Sequence, residues 1–153
     1  QFCASRCRAQ ARRLPRRGLW VVAVFVDTSG LYAVIDRADE RHPGAATTWQ
    51  RIVEEGEILL TSSYVIQEAF ALVGHCLGLE VIQLLHNDII PSLRVRWIDA
   101  PQHERGVAFL LARYERDLSL VDCVSFDLMR REGIDTAFAF DRHFDVQGFS
   151  TIP

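Results

Sequence analysis

Leu19-Trp-Val-Val-Ala-Val-Phe-Val26 runs without a break into Asp27. A continuous apolar run rich in β-branched residues is the pattern of a central strand covered on both faces. Its abrupt end places the Asp27 carboxylate on the edge where open α/β sheets take their ligands. The pattern returns near the other end of the chain, where Phe138-Ala-Phe140 runs into Asp141.

Working outward from the first strand, a short apolar turn of helix covers Leu31 to Ile35. Pro43 opens a second helix reaching about Glu55, closed by Gly56. After a short strand from Ile58 to Leu60, Thr61-Ser62-Ser63 offers N-caps for a helix to about Leu77. Its Val65, Ala69, Leu72 and Cys76 recur at the spacing of one helical face. A helix from Glu80 to about Ile90 ends before Pro91, a strand occupies Arg94 to Ile98, and Pro101 begins a helix to about Arg116. Ser119 begins the next, ended near Arg131 by Gly133, and strands follow at Ala137 to Phe140 and Phe149 to Ile152. Strands alternating with helices require right-handed crossovers. The expected fold is α/β: a three-layer α/β/α sandwich around a central, mainly parallel sheet.

The 153 residues suit one domain, and 49% hydrophobic content suffices for one continuous core. Residues 1–18 stand apart, because the first 17 hold six arginines and no acid. They read as a basic, disordered N-terminal arm, and residues 19–153 as the single folded domain. The remaining 136 residues carry 11 Arg against 20 acids. Every basic residue of the Lys+Arg set is arginine, which excludes phosphate-loop nucleotide hydrolysis and Schiff-base chemistry, both of which need lysine. No stretch reaches the length of apolar residues that a membrane span needs. Cys3, Cys7, Cys76 and Cys123 show neither a disulfide framework nor metal-ligand spacing, and four unpaired thiols fit a cytoplasmic protein.

Four acids carry the chemistry. Asp27 and Asp141 follow strands, although either could simply cap the helix after it. Glu68 lies on the shoulder of the apolar arc of its helix, where it can reach inward or snorkel outward. Asp122 falls between Met129 and Phe126 on its helical wheel, and an unpaired carboxylate among apolar residues is costly. Ser119-Leu-Val-Asp122 also has the spacing of a capping box, a role compatible with a second one. If the four converge, their mutual repulsion calls for positive charge among them, and no lysine can supply it. Hard cations such as Mg²⁺ or Mn²⁺ prefer carboxylate oxygens and water, and a site of this kind suits phosphodiester hydrolysis.

The motifs Val26-Asp-Thr-Ser29, Tyr64-Val-Ile-Gln-Glu68, Ser119-Leu-Val-Asp122 and Phe140-Asp-Arg-His-Phe144 resemble PIN domains in order and spacing, most of all the VapC-type toxin ribonucleases. The resemblance covers about Val21 to Pro153. It implies that Asp27, Glu68, Asp122 and Asp141 form the family's acidic quartet, with Asp27, Asp122 and Asp141 as metal ligands. Glu68 would bind or orient a metal-bound water, and Ser29 and Ser119 would support the set. It further implies Mg²⁺ or Mn²⁺ as cofactor, RNA as substrate, a cognate antitoxin as partner and a homodimer. Val121 and Cys123 stand where the family often has Thr and Ala, but neither replaces an acid. Arg142 is best placed by sequence to hold phosphate, with Arg94, Arg96, Arg113, Arg116, Arg130 and Arg131 as candidates for a rim. Asp145 reads as a solvated turn, and His143 is left between a phosphate contact and a surface role. A catalytically inactive fold of the same type, serving as an RNA-binding or scaffold module, is the alternative.

Overall fold

The computed structural model describes residues 23–113 and 115–153. The arm and Leu19 to Val22 lie outside these residues. From there the chain forms β1 (Ala23–Val26), α1 (Thr28–Ile35), α2 (His42–Glu54), β2 (Ile58–Ser62), α3 (Ser63–Cys76) and α4 (Leu79–Leu84). It continues through β3 (Arg94–Arg96), α5 (Ala100–Arg113), α6 (Leu120–Glu132), β4 (Thr136–Phe138), α7 (Arg142–Val146) and β5 (Ser150–Ile152). The five strands are parallel throughout, in the order β3-β2-β1-β4-β5, within an α/β/α sandwich.

The order explains where a site can form. The chain steps outward from β1 through β2 to β3, then returns to the other side of β1 with β4 and β5. Crossovers leaving β1 and β4 part at this reversal and open a crevice at the carboxyl ends of both strands. Val24, Phe25 and Val26 are fully buried there, as are Ala137 and Phe138 beside them. Val24 to Val26 are thus at the centre of the core, and Asp27 after them lies on the floor of the crevice.

α1 begins earlier than expected, at Thr28, β2 runs on to Ser62 and α5 ends at Arg113, and four further departures from the sequence expectations have a clear physical cause. β4 ends at Phe138 and not at Phe140, because β1 turns into α1 after Val26. The ladder closes on Asp27 N donating to Phe138 O, 3.2 Å, and Phe140 N turns to the side chain of Ser29. β3 ends at Arg96, since Ile98 N donates to Ser63 Oγ at 3.1 Å and draws the chain off the sheet edge. The segment after Gly78 is broken into α4, a wide turn over Leu85–Ile89 and a tight one over Ile90–Ser92, where Pro91 offers no amide hydrogen. On α3 the buried stripe is Val65, Ala69 and Val73, while Leu72 and Cys76 are exposed.

Gly30, in the first turn of α1, lets that helix sit directly on the end of β4. A Cβ at this position would meet the Phe138 carbonyl oxygen and lie 2.7 Å from its ring. Backbone cannot yield as a flexible side chain can. Gly30→Ala is expected to destabilise the fold by about 1–3 kcal/mol, read as a lower urea midpoint.

Candidate active site

Three aspartates reach the crevice from helix N-termini. Asp27 is the N-cap of α1, and its Oδ2 accepts from Ser29 N at 3.0 Å and from Ser29 Oγ at 2.6 Å. Asp141 is the N-cap of α7, and its Oδ1 accepts from His143 N at 2.9 Å and lies 2.7 Å from His143 Nδ1. Asp122 completes a capping box at the start of α6: its Oδ2 accepts from Ser119 N at 2.8 Å while its own N donates to Ser119 Oγ at 3.0 Å. The capping reading of these acids is met in all three, and capping occupies one side of a carboxylate and leaves lone pairs over. Helix N-termini also carry partial positive charge, which makes these positions tolerable for anions.

Glu68 projects from α3 into the same space, held by Thr28 Oγ1 donating to its Oε2 at 2.5 Å. The inward choice that its shoulder position left open is made by α1, whose Thr28 hydroxyl meets it. The crevice, about 350 Å³, is lined by Asp27, Thr28, Ser29, Glu68, Leu72, Asp117, Ser119, Asp122 and Asp141. All four predicted acids and both predicted serines thus share one opening. The donor atoms of Asp122 and Asp141, which line it, and of His143 beside them all lie within 4.8 Å of one another. Asp27 couples to this group through the charge of Asp122.

Burial dominates the electrostatics. It pushes the Asp27 carboxyl up to about 6 against the two bonds from Ser29, and the Asp122 charge pushes the same way. Asp122 is also raised, first by burial and then by Asp141, against the lowering effect of its Ser119 bonds. These are carboxylates that water does not adequately solvate, at 5% and 8% exposure. Acids this desolvated and this close match the donor chemistry of a hard divalent cation. Cys123 beside them is buried, its thiol pushed up to about 11 chiefly by burial, so it is not available as a thiolate.

Three residues of the site carry less signal in the sequence. Thr28 follows Asp27 and Asp117 stands two residues before Ser119, but nothing in their spacing marks them. Asp117, and not Asp145, is the fifth carboxylate of the crevice; Asp145 lies on α7 and accepts from Thr151 Oγ1 at 2.9 Å. His143 stands at a helical N-terminus where its ring meets Asp141.

The arginine rim is mostly committed elsewhere. Arg96 binds Glu132 through two nitrogens, Arg131 binds Asp127, and Arg130 bonds Gln147. Arg113 lies against Glu115 and the Phe109 ring. Arg142 stands at the mouth, 3.6 Å from Asp117, with both side chains mostly exposed. A pair so exposed is weak and opens easily to another anion.

The family described as PIN domain matches residues 24–149. The chain is 32% identical over 130 residues to the 23S rRNA-specific endonuclease VapC20 of Mycobacterium tuberculosis (strain H37Rv), covering 82% of this chain and 95% of that protein. The crystal structure of M. tuberculosis VapC20, described as a sarcin-ricin loop cleaving toxin, is similar with a TM-score of 0.74 at 31% identity, again over 82% and 95% of the two chains. FitAcB from Neisseria gonorrhoeae shares the fold alone, with a TM-score of 0.63 at 12% identity over 85% and 96%.

Proposed function

The chain belongs to the PIN-domain family, and on that premise we propose that it is a divalent-metal-dependent endoribonuclease, the toxin of a toxin–antitoxin pair. The observation that carries this reading is the joint presence of Asp27, Glu68, Asp122 and Asp141 in one crevice where burial has raised two of them.

Asp27, Asp122 and Asp141 would hold Mg²⁺ or Mn²⁺, each with the oxygen not committed to its cap. When bound, the cation supplies Lewis-acid stabilisation of charge on phosphate oxygens and lowers the pKa of water. Glu68, fixed by Thr28, stands across the crevice to orient a water toward the phosphate. Ser29 holds two partners at once, since its Oγ donates to Asp27 and accepts from Phe140 N at 2.9 Å, tying the ends of β1 and β4 together. Ser119 holds Asp122. Arg142 supplies the positive charge at the mouth, exchanging Asp117 for a substrate phosphate.

The crevice is so acidic that a polyanion can enter only with cations. RNA cleavage is therefore expected with Mg²⁺ or Mn²⁺ and not with EDTA. The substrate class is ribosomal RNA, by similarity to a relative that is specific for 23S rRNA. Purified protein should cut that RNA in preference to a random-sequence RNA of equal length, read by primer extension. Metal-independent cleavage, or binding without cleavage in every metal tried, would favour the inactive scaffold. We further propose a cognate antitoxin that covers the crevice by way of α1 and α3, and a homodimer. No helix of the described residues is long and apolar enough to cross a membrane.

A further inference from the structure

The two strand-end aspartates are held by the same three-residue device. In Asp27-Thr-Ser29, the backbone N and the side-chain Oγ of the third residue both donate to one oxygen, Oδ2. In Asp141-Arg-His143, the backbone N and the ring Nδ1 of the third residue both converge on one oxygen, Oδ1, at 2.9 and 2.7 Å. An imidazole thus stands where the first aspartate has a hydroxyl. The His143 side chain is only 12% exposed, so the ring is enclosed at the site and does not wave in solvent.

Asp141 needs this second anchor more than its neighbours do. It lies three residues beyond the last ladder residue of β4, it caps a helix of only five residues, and its side chain is 33% exposed. A cap by one amide leaves its χ angles partly free. Two donors on a single oxygen fix the plane of the carboxylate and assign Oδ2 to whatever binds in the crevice.

We propose that His143 is a positioning residue of the metal centre: its Nδ1–H orients Asp141 as Ser29 orients Asp27, and the ring is not itself a ligand. This rests on the nuclease reading above. Outer partners of metal ligands generally matter almost as much as the ligands, and losing one costs about 10- to 100-fold in metal affinity.

The test is Mn²⁺ binding by titration calorimetry, apart from any activity. His143→Ala should lose about 10- to 100-fold in Mn²⁺ affinity with an unchanged melting temperature in the apo form. Asn places an amide donor where Nδ1 was, so His143→Asn should recover wild-type affinity. Gln carries its amide one carbon farther out and should behave like Ala. Combining His143→Ala with Asp141→Asn should cost no more than Asp141→Asn alone, since the imidazole acts only through that carboxylate. Wild-type affinity in His143→Ala would overturn the proposal, as would imidazole nitrogen coupling in the Mn²⁺ electron spin echo spectrum, which would make His143 a ligand. Either of these leaves the nuclease reading standing. A wild-type protein that binds no Mn²⁺ would overturn both.

Discussion

Asp122→Asn is expected to lower RNA cleavage about a thousand-fold, equivalent to about 4 kcal/mol of transition-state stabilisation, while leaving the protein at least as stable as wild type. The two halves of this expectation have different origins. Asn keeps a carbonyl oxygen for Ser119 N and so preserves the capping box at the start of α6. It also removes a charge that burial disfavours, since Asp122 is 8% exposed and its carboxyl is held above the usual range. What it cannot do is offer an anionic oxygen to a divalent cation beside Asp141. Cleavage assays and thermal melts on the same preparation check both halves. Lost activity with a lower melting temperature would mean that Asp122 serves the fold and not the chemistry, and full activity would remove it from the metal site.

The metal-free protein is expected to be more stable at pH 5 than at pH 7.5. Asp27 titrates near 6 in the folded chain against an ordinary value of 3.8, so folding favours its protonated form. That contribution is fully present below the unfolded value and is lost as pH rises through the folded one. For a shift of this size the loss between pH 5 and pH 7.5 is on the order of 1 kcal/mol, or a few degrees (roughly 2–4 °C) in melting temperature for a domain of this length. Asp122, raised for the same reason, adds to the slope in the same direction. The difference between wild type and Asp27→Asn isolates the Asp27 part, because every other titrating group is common to both. At pH 7.5, added Mg²⁺ or Mn²⁺ should raise the wild-type melting temperature by binding the folded state alone, and raise that of Asp27→Asn much less. Parallel pH curves for the two proteins would show that the Asp27 carboxyl is not raised.

Desolvation of this kind separates what the chain encodes locally from what the fold adds. The α/β class, the parallel sheet and the positions of Asp27 and Asp122 follow from patterns that short stretches carry on their own. An unbroken apolar run must be buried on both faces, and Ser-x-x-Asp before an apolar helix must cap it. Asp141 was legible as a residue but not in its setting, because where β4 stops depends on where β1 turns away from it.

Glu68, Thr28, Asp117 and His143 were decided only by tertiary structure. Thr28 and Glu68 lie 40 residues apart and meet across α1 and α3. A helical wheel places Glu68 on a shoulder, but it holds no information about which neighbour stands there. Asp117 joins the crevice because the residues leading into α6 line it together with Asp27, and His143 comes within reach of Asp122 because the turn after β4 brings the α7 N-terminus there. The sequence by itself therefore determined which acids could be placed at the end of a strand or the start of a helix. Whether those acids converge, which hydroxyls and imidazole hold them, and how far burial raises them were set by strand order and helix packing, because proximity and desolvation are properties of the assembled core and of no single segment.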